Sequence, residues 1–228
     1  MVYYIFNNYD NDFINLPYNI TRIQINKEIN NVINLSCYEY LIDIEFNRDY
    51  LCDDTPYFPK KLEILTIKAL FLCDLNNLPN SLIFIDIGNC NGFNGNYDFL
   101  PVNLTHLFID INFNNNIDNL PISLNYLKLG IYFIKLVNNL PHSLLNLTFG
   151  YYFNNNIDDL PNLLKYITFN SSGIFNKSLN NLPDSLIYIT LPNKYNLFID
   201  KLPKCIIKIY CSKYYKYKEH HLIFNELN

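Results

Sequence analysis

Proline recurs along this chain at a nearly constant interval: Pro17, Pro59, Pro79, Pro101, Pro121, Pro141, Pro161, Pro183 and Pro203. Tyr38 holds the same place inside the one long gap, so the marks are 20 to 22 residues apart and define ten units. Three, six and eight residues after each mark stands an apolar residue, as in Leu82, Ile85 and Ile87 or Leu124, Leu127 and Leu129. The unit begun by Tyr38 keeps the pattern with Leu41, Ile44 and Phe46. A period this short and this regular belongs to a chain that winds, one unit to a turn, because no single unit can bury its own apolar face.

Each stretch of Leu-x-x-Leu-x-Leu type ends in two-residue alternation, which predicts a short strand with one buried face. Farther along, an aromatic and an aliphatic residue, such as Phe113 and Ile117 or Phe153 and Ile157, turn the returning half of the coil inward. A polar pair, such as Asn138-Asn139 or Asp158-Asp159, then precedes the Leu-Pro step. Asn and Asp bond readily to nearby backbone, so stacked copies can satisfy turn amides. Proline fixes φ and removes a donor, which suits the end of an extended back segment. Ser81, Ser123, Ser143 and Ser185, two residues after their prolines, are placed to begin the next strand. The predicted architecture is an all-β-rich repeat solenoid: a leucine-rich-repeat-like coil of about ten units, one parallel sheet, and extended or turn-like backs.

Three segments, "FNNNIDNLPISL" (113–124), "FNNNIDDLPNLL" (153–164) and "FNKSLNNLPDSL" (175–186), share one signature. It resembles the FNIP repeat, a short leucine-rich-repeat-like family of social amoebae and giant viruses, named for Phe-Asn-x-x-Ile ahead of a Leu-Pro-x-Ser-Leu stretch. The resemblance covers nearly the whole chain and is strongest in units four to nine; the first three units and Tyr195, in the Phe place, depart from it. It implies a repeat scaffold for recognition. Many members carry an F-box before the repeats and resemble ubiquitin-ligase adaptors, but sixteen residues ahead of Pro17 are too few for one.

One solenoid domain is expected over residues 1–228, with an N-terminal cap at 1–16, ten repeats at 17–212 and a C-terminal cap at 213–228. Tyr3 and Ile5 are read as the inward residues of a capping strand at about residues 2–6, with Tyr9 and Phe13 completing that half-unit. Leu222, Ile223 and Phe224 are candidates to cover the last coil. Of six cysteines, Cys37 (in the Leu place before the mark) and Cys211 read as small core residues. Cys52 and Cys73 share an offset in adjacent units and could lie close enough to bridge, although free thiols are expected in a reducing compartment.

The search for chemistry returns little. "DINFNNN" (110–116) imitates a calcium loop but has no glycine at its sixth position, and Pro121 stands where the bidentate Glu belongs. "GNCNGFNGN" (88–96) has glycines without a following Lys-Ser/Thr or helix, and reads as the two-residue insertion of a 22-residue unit. No catalytic, metal or cofactor residues are assigned, and no enzyme is expected. A net charge of −4 argues against a phosphate-tracking surface, so nucleic acid is not an expected partner. The basic tail "KYYKYKEHH" (213–221) reads as a solvated end. No apolar run has the length of a signal peptide or a membrane span, and a cytoplasmic location without membrane attachment is expected. The 39 asparagines, with abundant Ile, Tyr, Phe and Lys, reflect AT-rich codons.

What remains is the solvent side of the strands. Five residues after the marks stand Arg22, Asp43, Ile64, Phe84, His106, Tyr126, Asn146, Tyr166, Tyr188 and Lys208. Seven after stand Gln24, Glu45, Thr66, Asp86, Phe108, Lys128, Thr148, Thr168, Thr190 and Tyr210. Both columns are predicted to face water, between inward residues of a two-residue period. Phe84, His106, Phe108, Tyr126, Lys128, Tyr166, Tyr188 and Tyr210 form the candidate binding face. Aromatics and Thr also favour strands for their own sake. The expected partner is a protein, a host protein where the source is a virus; the alternative is a carbohydrate stacked on the aromatic columns.

Overall fold

The computed structural model describes residues 2–7, 13, 16–90, 97–218 and 224–226. Two compact units divide the chain, residues 1–111 and 112–228. The first holds β1 (Tyr3–Phe6), β2 (Arg22–Ile25), β3 (Asp43–Phe46), β4 (Ile64–Ile67), β5 (Phe84–Asp86) and β6 (His106–Phe108). The second holds β7 (Tyr126–Lys128), β8 (Asn146–Phe149), β9 (Tyr166–Phe169), β10 (Tyr188–Thr190), β11 (Lys208–Cys211) and β12 (Phe224–Glu226). Within each unit the strands lie side by side in chain order and pair in parallel, as a β-solenoid winding one turn per repeat requires. No α-helix occurs among the described residues.

Register follows the proline marks. Ile23 pairs with Ile44 and Ile44 with Leu65; Leu127 pairs with Leu147 and Leu147 with Ile167. The residues three, six and eight after each mark are buried almost throughout, so each unit has a continuous aliphatic spine. Behind the spine of the second unit the back aromatics stack as a ladder: Phe113, Phe133, Phe153, Phe175 and Tyr195 have successive ring centroids 6.5, 6.5, 6.2 and 6.2 Å apart. Tyr195 keeps the ladder despite its polar end because its hydroxyl donates to the Lys177 carbonyl at 3.2 Å.

The turns use the polar residues as expected. The Oδ1 of Asn114 accepts from the Ile134 amide at 2.9 Å, that of Asn154 from Asn176 at 2.9 Å, and that of Asn180 from Asp200 at 2.9 Å. Each coil therefore satisfies a turn amide of the next. Ser143 and Ser185 donate back one coil, to the Leu124 and Leu164 carbonyls, both at 2.7 Å.

Three expectations about the ends and cysteines are corrected or fall outside the description. β1 exists, but Tyr4 and Phe6, not Tyr3 and Ile5, lie opposite the buried Ile23 and Ile25. Tyr3 and Ile5 are exposed. β1 pairs one residue out of the expected phase, and a one-residue slip exchanges the faces of a strand. Phe13 stacks on Phe6 at 3.9 Å, while Tyr9 lies outside the described residues. Cys37 is exposed, whereas the next residue, Tyr38, is buried and its hydroxyl donates to the Phe13 carbonyl. Cys211 is buried. Leu222 and Ile223 lie outside the described residues; Phe224 opens β12, which pairs with β11, and its ring lies 5.3 Å from Tyr215.

Candidate functional site

Positions five and seven after the marks do fall on the side of the strands opposite the spine, because inward residues alternate with them. What occupies those positions differs between the units.

In the first unit the face begins as a charged network. Arg22 on β2 lies 2.9 Å (Nη2) from Glu45 and 3.1 Å (Nε) from Asp43, both on β3. Lys68, just past β4, closes on the other oxygen of Glu45, which also accepts from Gln24 at 3.3 Å. Three side chains from the coils on either side thus cover Glu45, leaving it only 4% exposed, so its column position faces outward without reaching water. Burial works against the Glu45 charge, but hydrogen bonds from Lys68 and Arg22 outweigh it and hold the carboxyl below its usual range. Asp43 goes the other way: burial and the neighbouring Glu45 charge push it up, and Arg22 offsets them only in part. Sequence reasoning missed this network. Its signal was present as opposite charges two residues and one repeat apart, a spacing that matters only once the coils stack.

Farther along the first unit, Phe84 lies 6.0 Å from His106 and 5.5 Å from Phe108, so the two columns meet diagonally. All three are half-buried.

In the second unit positions five and seven of β8, β9 and β10 carry no charge. Tyr166 and Tyr188 stack at 5.6 Å with planes 13° apart, and Tyr188 continues to Tyr210 at 6.5 Å. Again the run passes from position five to position seven. Tyr166 is the most open of the three at 38%, with Thr168 exposed beside it. Asn146 stands between Tyr126 and Tyr166 in the position-five column, so Tyr126 and Lys128 are not part of this run. The eight candidate residues therefore resolve into a small group on the first unit, a three-ring run on the second, and Tyr126 with Lys128 apart from that run.

A second exposed aromatic group was not foreseen. Past β7 and β8, Tyr132 stacks on Tyr152 at 5.0 Å, and Tyr152 meets Tyr151 edge-on at 4.7 Å. Both coils bring a glycine to the same place: a Cβ on Gly150 would lie 1.9 Å from the Gly130 carbonyl oxygen. Only glycine permits that approach.

Among the described residues no group of three His, Cys, Asp or Glu side chains could hold a metal ion. The six cysteines are free thiols. Cys73 is buried and its thiol is pushed up to about 12, chiefly by that burial, which makes it a poor nucleophile. Among the described residues no helix is long and apolar enough to cross a membrane.

The chain can now be compared with known proteins. Residues 134–172 match the FNIP repeat family model. The fold is similar to that of CroV588, a circular leucine-rich-repeat protein of a giant virus, with 30% identity and a TM-score of 0.72 over 86% of this chain. This chain spans 31% of that protein's length. YopM from Yersinia enterocolitica aligns at 17% identity over 92% of this chain and 62% of its own, with a TM-score of 0.31. No curated protein matches.

Proposed function

For a chain that contains FNIP repeats on a leucine-rich-repeat-like solenoid, we propose a non-enzymatic recognition scaffold that binds a protein through the solvent side of its strands. The observation that carries this is the run Tyr166–Tyr188–Tyr210. Cross-strand stacking alone would hold such rings together. The exposure of Tyr166 at one end of a run whose other rings are half-buried supports the further step, because Tyr is a frequent anchor of protein interfaces. The same rings are suited to stacking on sugars, which keeps a carbohydrate ligand as the second reading.

The test is the double variant Tyr166→Ala, Tyr188→Ala, assayed against a partner recovered on the immobilised chain and then purified. Binding should weaken by about 2 kcal/mol or more, while stability falls by about 1–2 kcal/mol. Loss of stability with unchanged binding excludes this face. A glycan array on which the wild type binds and the double variant does not would favour the carbohydrate.

A further inference from the structure

Resting on that reading, the charges around the tyrosine run define the chemistry of its partner. The five repeat strand stretches of the second unit, 124–129, 144–149, 164–169, 186–191 and 206–211, contain Lys128, Lys165 and Lys208 and not one Asp or Glu, and Glu226 on β12 is held by Lys218. Lys165 immediately precedes Tyr166, and Lys208 lies directly opposite Tyr188 in the parallel register. Both are exposed, and no ion pair among the described residues engages either. Asp184, in the turn before β10, is already held by Lys204 at 2.6 Å.

The remaining acids lie elsewhere in the repeat. Asp118, Asp158, Asp159 and Asp200 all sit two or three residues before a proline, on the returning side of the coil. The five strand stretches that carry the tyrosine run thus hold cations only. By contrast the first unit folds its own cations, Arg22 and Lys68, into Glu45.

We infer that the tyrosine face of the second unit takes an acidic, extended polypeptide segment. Its apolar or aromatic side chains lie on Tyr166, Tyr188 and Tyr210, and its carboxylates reach Lys165 and Lys208. With neighbouring strands about 4.8 Å apart, the two lysines sit two coil spacings, about 10 Å, from one another along the strand array. That distance is spanned by three or four residues of extended chain. Two ammonium groups at an open rim supply steering and charge selection, and the rings supply the buried contact.

The experiment pans a library of random twelve-residue peptides, displayed on phage, against the full chain and in parallel against Tyr166→Ala, Tyr188→Ala. Peptides that bind the wild type and not the tyrosine variant should be enriched in Asp and Glu over the starting library. A synthetic copy of one should bind the Lys165→Gln, Lys208→Gln variant about tenfold more weakly. Raising the salt should weaken binding to the wild type, and Lys165→Arg, Lys208→Arg should restore most of the affinity. Both lysines are exposed, so unchanged melting of these variants is expected and serves as the folding control. Tyrosine-dependent peptides without acid enrichment, or with affinity indifferent to the lysines, overturn this inference and leave the tyrosine face standing. Recovery of no tyrosine-dependent peptide overturns both. Lysine-dependent binding of an acidic oligosaccharide such as oligogalacturonate, with no peptide selected, assigns the face to a different class of ligand and overturns the peptide.

Discussion

Strands β3 and β9 carry the same backbone and the same buried alternation, yet the faces they show to water have nothing chemical in common. At position seven after the mark β3 has Glu45, closed in by Arg22, Gln24 and Lys68, and β9 has Thr168, open to solvent. At position five β3 has Asp43, ion-paired with Arg22, and β9 has Tyr166, stacked on Tyr188. Position nine differs too: in the first unit Asn47 donates to Asn26 at 2.8 Å, and in the second Gly130 and Gly150 bring their backbones together. The repeat constrains the inward residues because all of them share one spine. Outward residues answer only to their neighbours one coil away, so each unit is free to spend its face differently. The first unit pairs the charges of its β2–β4 face internally. The second leaves Tyr166, Lys165 and Lys208 open.

The comparison is tested most severely at the shared spine. Leu127→Asp should cost about 4 kcal/mol or more, since an unpaired charge replaces a fully buried side chain. Hydrogen exchange should show β7 and β8 losing protection together, and a melting curve like that of the wild type would refute the repeat register.

Gly150→Ala comes next. The new Cβ meets the Gly130 carbonyl at 1.9 Å, so backbone has to move, at a cost of about 2–3 kcal/mol. Separation of the coils should also loosen the Tyr132–Tyr152 stack, visible as increased tyrosine accessibility in near-ultraviolet spectra.

Glu45→Ala and Thr168→Ala remove the same position from the two faces. The first strands Arg22 and Lys68 and should cost about 1–2 kcal/mol, held down because their side chains are 39% and 49% exposed and water can replace the lost acceptor. The second should cost less than about 0.5 kcal/mol. Equal losses in chemical denaturation would mean that the first face is no more self-contained than the second.

The smallest effect is in pH. The Glu45 carboxyl, held below its ordinary value of 4.5, contributes stability that is present above that value and lost as pH falls through the folded one. Asp43 is raised above its ordinary 3.8, so in the folded state it takes up a proton earlier, and its contribution falls as pH rises through that interval. The two slopes oppose each other below about pH 5. Asp43→Asn removes the compensating slope, so its melting temperature should fall more steeply with acidification than that of the wild type between pH 5 and 3. Parallel curves would show that the two carboxyls are not linked as the geometry indicates.

How much of this was legible in the chain itself depends on the residue. The marks at Pro121, Pro141 and Pro161 gave the starts of β7, β8 and β9 because proline and the Asn-rich step before it act locally, on φ and on turn amides. Tyr195 was a visible departure from Phe, and the acceptor that makes it harmless, the Lys177 carbonyl, lies one coil back. The candidate face was half legible. Its outward direction followed from alternation, but not which rings would touch: Tyr188 meets Tyr210 and Phe84 meets Phe108 across columns, because twisted neighbouring strands bring diagonal side chains within reach.

The coil follows from the chain alone: its period, its parallel strands, its spine and the side on which each residue of a marked strand stands. These depend on properties that act within one unit, namely fixed φ at proline, side-chain alternation and the need to bury Leu and Ile. Only the tertiary structure decided which outward residues are spent. Glu45 is closed in because Arg22 and Lys68 arrive from the coils on either side, and Lys165 and Lys208 remain open because no carboxylate among the described residues pairs with them. Phe6 rather than Ile5 turns inward because β1 pairs with β2 so that Phe6 lies opposite the buried Ile25. The physical reason is the same each time: charge pairing and register between coils are set by distances of about 5 Å across the stack, between residues some twenty positions apart in the chain.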